Sequence, residues 1–378
     1  MPSVSSSIQA SMTKETLINF GIGMPNPELL PADQLRIAAA EGISADFLNY
    51  TMGQGNVTFR DTLARFLTSQ YGTEIDPTTL YVSGGSLQGI HHICNRFTKP
   101  GDLVVVEEPT FNLMMSLFQD HDLEIVSIPL DEEGLDIGKL QTLLQDRSPK
   151  LVYTIPAFHN PTSVNMSAER KAALVELAKA HDFYIVADEV YQLLSYSDEP
   201  TTSFAEHIGS EHVFAVGSFS KILAPGLRLG WLVTGPELVQ ELAANGLTAF
   251  SGGFNHFATG IVNELVLNGQ QGAILETIRS TFAGRVVAMN KLLREEMPTG
   301  VQFREPAGGY FFWLQLPDHV DGTALLERAA ALNVAFKPGV QFSNQGIQNN
   351  FIRLSFGFYD EAALALGVKR LAQAIATF

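Results

Sequence analysis

Residues 103–130 read LVVVEEPTFNLMMSLFQDHDLEIVSIPL and contain the pattern that decides the fold. An apolar run rich in valine is followed by a stretch with the apolar spacing of a helix, and then by a second β-branched run. Strand-like and helical segments alternate in this way from Leu80 to Thr234. Because strands joined by helices are usually parallel and covered on both faces, we expect an α/β fold with a mostly parallel seven-stranded sheet between helices.

The C-terminal third has a different pattern, which predicts a smaller α+β domain. One long amphipathic helix should link the two domains, because apolar residues recur at helical spacing. These residues are Ile274, Ile278, Phe282, Val286 and Met289. Beyond this helix, strand-like runs alternate with two helical segments, and Asp360 is placed to cap the last one. The 378 residues exceed the ~250 to 300 of a single core, so we expect a large domain over residues 46–268 and a small one over residues 1–45 and 269–378.

The composition indicates a globular protein and argues against several classes of partner. Hydrophobic residues make up 46% and charged residues 17%, and no run approaches the ~18 apolar residues of a membrane helix. The first twenty residues lack the apolar stretch of a signal peptide, so we expect a cytoplasmic protein. The single cysteine, Cys94, fits that reducing compartment. A formal net charge of −16 argues against nucleic acid and anionic membranes as partners.

Residues suited to ligand binding follow the predicted strands at their carboxyl ends, where open α/β sheets bind their ligands. In chain order they are Gly84, Gly85, Ser86, Phe111, Asn160, Asp188, Tyr191, Ser218, Ser220 and Lys221. After the first strand a glycine turn opens a helix, so we expect the backbone N–H groups of Gly85, Ser86 and Leu87 to bind a phosphate. Arg228 adds a guanidinium suited to phosphate oxygens, and the two serines after the last parallel strand add hydroxyl donors.

The other residues of this set suit a pyridine aldehyde. Nearby positive charge should lower the pKa of the Lys221 ammonium, which frees the amine to form a Schiff base. Alone, Lys221 would be an ordinary solvated lysine and Asp188 an ordinary carboxylate at a strand end. Together, Asp188 would face a pyridine nitrogen, Asn160 and Tyr191 would donate to a ring oxygen, and Phe111 would cover a ring face. A ring, a phosphate and an aldehyde specify pyridoxal phosphate.

Five motifs in this order resemble those of the fold type I pyridoxal-phosphate enzymes of the class I/II aminotransferase family. They are SGGSLQ, EEPTF with Phe111, HNPT with Asn160, DEVY with Asp188 and Tyr191, and SFSKILAPGLR with Lys221 and Arg228. The resemblance implies pyridoxal 5'-phosphate as cofactor, Lys221 as its Schiff-base lysine and Arg228 as a phosphate ligand. It also implies that Lys221, Asp188 and Tyr191 are the catalytic residues. Two positions depart from the family pattern: Ser163 follows HNPT where glycine is common, and Phe111 stands where tyrosine or tryptophan is frequent.

The resemblance also assigns residues outside the strand ends. In FIRLSFG it makes Arg353 the bidentate ligand of the substrate α-carboxylate, rather than a salt-bridge partner on a strand face. Asn160 joins Arg353 as a substrate ligand, and Gly23 lies near the carboxylate in an N-terminal lid. Tyr50 reaches the cofactor phosphate of a neighbouring subunit, and residues 251–254, SGGF, are lent across the same interface. A homodimer with shared active sites is therefore implied.

The activity implied by the resemblance is a ping-pong transfer of an amino group between an L-amino acid and a 2-oxo acid. β- or γ-elimination or replacement and cyclisation remain open, because they use the same Lys221 and Asp188. A nicotinamide enzyme is disfavoured because GIGMPN lacks a third glycine. A hydrolase is disfavoured because GGSLQ lacks the glycine that follows the serine in a nucleophile elbow, and a regulator because no basic patch is present. We expect no metal site, since the adjacent His91 and His92 point to different sides of a helix. Residues 18–31 contain no lysine or arginine, which favours a neutral or apolar amino donor.

Overall fold

The computed structural model describes residues 16–196 and 202–378. The strands in these ranges are β1 (Ile18–Asn19), β2 (Leu80–Ser83), β3 (Leu103–Glu108), β4 (Glu124–Asp131), β5 (Gly134–Leu135), β6 (Leu151–Thr154), β7 (Tyr184–Asp188), β8 (Val213–Ser218), β9 (Gly230–Val233), β10 (Gln302–Phe303), β11 (Phe311–Gln315), β12 (Val334–Ala335), β13 (Lys337–Pro338) and β14 (Phe351–Ser355). The helices are α1 (Ala32–Gly42), α2 (Ala45–Leu48), α3 (Val57–Tyr71), α4 (Ser86–Phe97), α5 (Asn112–Asp120), α6 (Ile137–Leu143), α7 (Ala168–His181), α8 (Pro236–Ala243), α9 (Gly246–Ser251), α10 (His256–Leu267), α11 (Gln270–Glu296), α12 (Gly322–Ala331) and α13 (Glu361–Ala376).

The large sheet has the strand order β2-β9-β8-β7-β6-β3-β4-β5. Strands β4, β3, β6, β7 and β8 are parallel neighbours, whereas β9 runs antiparallel to both β8 and β2. Every residue of β2, β3, β6 and β8 is buried, as a sheet covered on both faces requires. The mostly parallel sheet expected from the sequence is confirmed, and the two-residue β5 adds an antiparallel return at its edge.

The parallel strands end at one edge of this sheet. Asp188, the last residue of β7, is paired with Val216, so it lies beside the end of β8 at Ser218. Thr154, the last residue of β6, is likewise paired with Ala187. The register therefore brings the segments that follow these strands to one edge, and the chemistry-bearing side chains collect there.

The small sheet is antiparallel, with the strand order β10-β11-β14-β13. Arg353 on β14 is paired with Trp313 on β11 on one side and with Lys337 on β13 on the other. Helix α11 spans the residues expected, and its five predicted apolar positions are all buried. Asp360 caps α13 as predicted, because its Oδ1 accepts a hydrogen bond from the N–H of Ala363 at 2.8 Å.

The N-terminal segment contacts the small sheet through the N–H of Ser355, which donates to the carbonyl oxygen of Phe20, and it also contacts helix α10. Strand β1 pairs with β12, whereas helix α1 packs against α10. A Cβ at Gly42 would lie 2.5 Å from the carbonyl oxygen of Gly260, so only glycine fits at this crossing. The division of the chain into residues 46–268 and the remainder stays a prediction. Within the two described ranges, no helix is both long enough and apolar enough to cross a bilayer.

Candidate active site

A cavity of about 380 Å³ opens between the carboxyl ends of β6, β7 and β8 and the small sheet. Most of the residues expected in the site line it: Gly23, Ser86, Leu87, Phe111, Asn160, Asp188, Tyr191, Ser218, Ser220, Lys221, Arg228 and Arg353. Gly85 lies beside it in contact with Arg228, whereas Tyr50 lies elsewhere. The fold thus gathers segments from both ends of the chain around one space.

The corner formed by α4 and the segment after β8 is rich in hydrogen-bond donors. Helix α4 begins at Ser86, and the first N–H groups of a helix have no partner within it. Gly85 precedes the helix with a φ of 93°, and a Cβ there would lie 2.7 Å from Arg228 Nη2. Arg228 Nη1 donates to Ser220 Oγ at 3.4 Å, and the N–H of Ser220 donates to Ser218 Oγ at 3.1 Å. N–H groups, hydroxyls and a guanidinium meet here in the combination that binds phosphate.

Lys221 follows β8 and extends into the cavity. Its Nζ donates to the carbonyl oxygen of Gly23 at 2.7 Å, and the ring centroid of Tyr310 lies 5.2 Å from Nζ. Burial, and then the positive charge of Arg353, lowers the pKa of Lys221 to about 8. The direction agrees with the sequence argument but the cause differs, since burial contributes most and the charge comes from Arg353 rather than from Arg228.

Asp188 is 5% exposed at the end of β7. Its Oδ2 accepts a hydrogen bond from the Tyr153 hydroxyl at 2.8 Å, whereas Oδ1 has no hydrogen-bond partner among the described residues. Burial raises the pKa of Asp188 to about 6, although the Tyr153 hydroxyl, the backbone N–H of Val190 and the Lys221 charge act in the opposite direction. A buried carboxylate oxygen beside a cavity and without a partner is suited to accept a hydrogen bond from a bound ligand.

Arg353, Asn160 and Tyr191 form one hydrogen-bonded group. Arg353 Nη1 donates to Asn160 Oδ1 at 2.8 Å, and Arg353 Nη2 donates to the carbonyl oxygen of Gly21 at 3.1 Å. The Tyr191 hydroxyl also hydrogen-bonds to the Asn160 side chain. Burial lowers the pKa of Arg353 to about 10, which still leaves it charged at neutral pH. These partners are neutral, so the guanidinium keeps its charge available for a carboxylate.

Two aromatic rings hold the Arg353 guanidinium. The carbon Cζ lies 4.0 Å from the ring centroid of Phe311 and 4.9 Å from that of Phe342. Contacts of a guanidinium with aromatic rings are favourable and restrict its orientation. The arginine is therefore positioned before any substrate arrives.

The two departures from the family pattern have structural solutions. Ser163 adopts a φ of 61°, the left-handed conformation that usually favours glycine, so the turn after HNPT is kept. Its hydroxyl donates to the carbonyl oxygen of Phe311 at 2.6 Å. Phe111 lines the cavity immediately before α5, so an aromatic ring is retained there without a hydroxyl.

The expected intersubunit residues lie on a separate, exposed face. Tyr50 is 84% exposed, and a Cβ at Gly252 would lie 2.5 Å from the carbonyl oxygen of Thr51, so residues 50–57 and 252–254 adjoin. The exposed apolar side chains around them are Leu48, Met52, Val57 and Phe257. The side chain of Ser251, the first residue of SGGF, lies outside the described part of the structure.

Sequence reasoning missed Tyr153, Phe311, Phe342 and Lys337. Tyr153 and Phe311 belong to apolar strands, where aromatic residues are expected for packing alone, so nothing distinguished them. Phe342 contacts Arg353 only through tertiary structure. Lys337 offered a signal in the sequence, because it is a lysine that directly follows the apolar run VAF. In the structure it lines the cavity.

Comparisons with known proteins agree with this geometry. The sequence profile described as aminotransferase class I and II matches residues 15–371. The aromatic-amino-acid aminotransferase 1 of Thermococcus litoralis is 35% identical over 369 residues, which are 95% of this chain and 88% of that protein. The 2-aminoadipate transaminase of Thermus thermophilus is 30% identical over 97% of this chain and 94% of that protein. A structure of Pyrococcus horikoshii kynurenine aminotransferase in complex with PMP gives a TM-score of 0.89 at 34% identity, over 96% of this chain and 92% of that one. The chain therefore belongs to the class I and II aminotransferase family, and it is a pyridoxal 5'-phosphate-dependent aminotransferase of fold type I.

Proposed function

We propose that this cavity is the active site and that Lys221 carries the cofactor and moves the substrate proton. The observation that carries the proposal is the convergence of three features on one cavity: the Lys221 amine, the partnerless Oδ1 of Asp188 and the donor-rich start of α4. They fit the aldehyde, the ring nitrogen and the phosphate of pyridoxal phosphate, respectively.

The residues around the cofactor ring would have distinct tasks. When bound, pyridoxal phosphate supplies an aldehyde that exchanges amino groups and a ring that takes up the electrons of the substrate Cα–H bond. Asp188 Oδ1 would accept a hydrogen bond from the protonated ring nitrogen, and a pKa of about 6 leaves this carboxyl group mostly ionised at neutral pH. Asn160 and Tyr191 would donate to the ring oxygen, and Phe111 would cover one ring face.

Lys221 would act twice in each turnover. Its Nζ would hold the cofactor aldehyde between turnovers and would be free while a substrate amine occupies that place. The free amine can then remove the Cα proton, a task typically worth ~10² to 10⁴ in rate. The carbonyl oxygen of Gly23, 2.7 Å from Nζ, would hold the released side chain near this position.

Arg353 and Asn160 would bind the substrate α-carboxylate. The guanidinium is already oriented by Phe311 and Phe342, so little side-chain entropy is lost when the carboxylate binds. Its neutral partners leave the positive charge uncompensated until then. Gly23 lies against the same guanidinium, since a Cβ there would be 3.8 Å from Arg353 Nη2. This contact supports the N-terminal segment as part of the substrate site.

We propose a neutral, apolar or aromatic amino donor. Met24, Leu113 and Phe342 line the cavity and offer apolar surface to a substrate side chain. Relatives named for aromatic amino acids and for kynurenine support the same class. The 2-oxo acid acceptor binds the same cavity in the second half of the ping-pong cycle.

We also propose a cytoplasmic homodimer in which the face around Tyr50 meets a second copy of the chain. This face exposes Leu48 at 65%, Tyr50 at 84% and Met52 at 62%, and such a contiguous apolar surface is typical of an interface. Arg228 is exposed at the phosphate corner, where Tyr50 of a second copy would complete the site. Buried, unpaired Cys94 suits a reducing compartment.

Substitution of Lys221 tests the proposal directly. Lys221→Ala should abolish the absorbance of the lysine-bound cofactor and lower kcat by at least ~10⁴-fold, because both tasks of the amine are lost. Mass analysis of the product from single amino acids should show a 2-oxo acid, which separates transfer from elimination and cyclisation. Lys369→Ala, on the outer face of α13, is the matched control. Retained turnover in Lys221→Ala would refute the assignment.

A further inference from the structure

Lys337 is a fourth cationic side chain on the cavity, besides those of Lys221, Arg228 and Arg353. It begins strand β13 of the small sheet, so it lies on the substrate wall with Arg353. The phosphate corner is built from other elements, α4 and the segment after β8. Lys337 thus has no task in the cofactor chemistry described above.

The position of Lys337 is unusual for a structural lysine. It is half-buried and directly opposite Arg353 in an antiparallel pair, where like charges destabilise a sheet. Burial and the charge of Arg353 both lower the pKa of Lys337, and no carboxylate contributes to that shift. Among the described residues that line the cavity, Asp188 is the sole acid, and it lies at the end of β7 on the opposite wall. Two adjacent cations without an acid form a local field that attracts anions.

The side chain of Lys337 runs along the N-terminal segment. A Cβ at Gly21 would lie 3.4 Å from Lys337 Cγ and 3.6 Å from Lys337 Cε. The carbonyl oxygen of the same Gly21 accepts from Arg353 Nη2 at 3.1 Å. Gly21 therefore lies against both cationic side chains, and the two cations are neighbours on one wall rather than members of separate sites.

We propose that Lys337 binds the second carboxylate of a dicarboxylic substrate, while Arg353 binds the α-carboxylate. This inference rests on the proposed active site and makes Lys337 a specificity-determining residue. Residues 18–31 contain no lysine or arginine, whereas the fold supplies a positive charge from β13. Because donor and acceptor bind in turn, an apolar donor and a dicarboxylic 2-oxo acid can use the same cavity.

Two five-carbon 2-oxo acids can show whether Lys337 binds the second carboxylate or affects all substrates equally. The acceptors 2-oxoglutarate and 2-oxopentanoate differ by one carboxylate, and in a ping-pong reaction the kcat/KM of each is independent of the donor. In Lys337→Met the ratio of the two kcat/KM values should fall by about 10- to 100-fold, as expected when one partner of a partly buried charge pair is removed. Lys337→Arg should restore most of the ratio, and Lys369→Met, an exposed lysine on α13, should leave it unchanged.

Binding without turnover provides a second readout. Calorimetry on the cofactor-loaded enzyme should show that glutarate binds more tightly than pentanoate, and that Lys337→Met removes the difference. An equal loss for both acids would place Lys337 at the α-carboxylate and overturn the proposal, as would an unchanged ratio. Absence of turnover with every amino acid would instead refute the proposed function, and the binding comparison would still test Lys337.

Discussion

The two walls of the cavity are built in different ways. The large-sheet wall takes its functional groups from the ends of consecutive parallel strands, in a single stretch between Ser86 and Arg228. The small-sheet wall joins Gly23 from the N-terminal segment to Lys337 and Arg353 near the other end of the chain. The first wall suits an unchanging cofactor, since the backbone fixes each group. The second uses long side chains on short strands, which can be replaced to change the substrate without altering the sheet.

The largest effects are expected from substituting one arginine on each wall, because one substitution should impair substrate binding and the other cofactor binding. Arg353→Met should lower kcat/KM by about 10² to 10³, because the buried cation that we propose as the ligand of the α-carboxylate is lost. The affinity of the Arg353→Met variant for pyridoxal phosphate should stay near that of the wild type. Arg228→Met should weaken cofactor binding and recover much of kcat/KM at saturating cofactor. Cofactor titrations and steady-state kinetics measure both effects.

The opposite result would remove the distinction between the walls. If Arg353→Met lost the cofactor as readily as Arg228→Met, the guanidinium would belong to cofactor binding. Arg328→Met is a suitable control, because Arg328 lies on α12 and donates to the carbonyl oxygen of Phe378 at 3.4 Å, away from the cavity. That control should leave both measurements unchanged.

The reactivity of Lys221 should report on both walls at once. A pKa of about 8 leaves about a tenth of the amine unprotonated at pH 7, compared with about 0.03% for an ordinary lysine. The rate at which cofactor-free enzyme bonds to pyridoxal phosphate should therefore rise as the pH increases through about 8. Stopped-flow absorbance measures this rate between pH 6 and 10.

Arg353, on the small-sheet wall, influences the titration of Lys221. Its positive charge is the second cause of the lowered pKa of Lys221, after burial. Arg353→Met should shift the midpoint of the rate profile upward, while Lys369→Met should not move it. A wild-type midpoint near 10.5 would show that Lys221 is neither buried nor influenced by Arg353 in solution.

The same contrast explains which parts of the site were predictable. Asp188 and Lys221 follow continuous apolar runs, so their place at the sheet edge follows from the parallel fold. The partners of these residues depend on tertiary geometry: the Tyr153 hydroxyl reaches Asp188 from the adjacent strand, although its sequence context predicts only a buried aromatic residue. Lys337 becomes informative only when the register of β13 and β14 places it opposite Arg353.

Removing the Tyr153 hydroxyl, on the large-sheet wall, should have a moderate effect on the protonation of Asp188. The hydrogen bond to Asp188 Oδ2 favours the ionised carboxylate, so Tyr153→Phe should raise the pKa of Asp188 by about one unit. The ionised fraction of the carboxyl group would then fall by about twofold at pH 7 and by about fivefold at pH 6, and kcat/KM should fall in proportion. The acid limb of the pH profile should move upward. Tyr184→Phe provides the control, because the Tyr184 ring packs in tilted contact with those of His212 and Phe214. An unmoved acid limb in Tyr153→Phe would contradict this role.

The smallest effect is expected at Ser163, which ties the two walls together. Its hydroxyl donates to the carbonyl oxygen of Phe311 on β11, while its left-handed backbone is strained for any residue but glycine. Ser163→Gly relieves the strain and loses the hydrogen bond, each worth about 1 kcal/mol, so its free energy of unfolding should stay within about 1 kcal/mol of the wild type. Ser163→Ala loses the bond and keeps the strain, so it should be about 1 to 2 kcal/mol less stable than Ser163→Gly in urea unfolding. Both variants lack the hydroxyl, so an increase in the KM for the amino donor that both share would come from looser contact between the walls. If Ser163→Gly and Ser163→Ala were equally stable, residue 163 would not keep its left-handed conformation in solution.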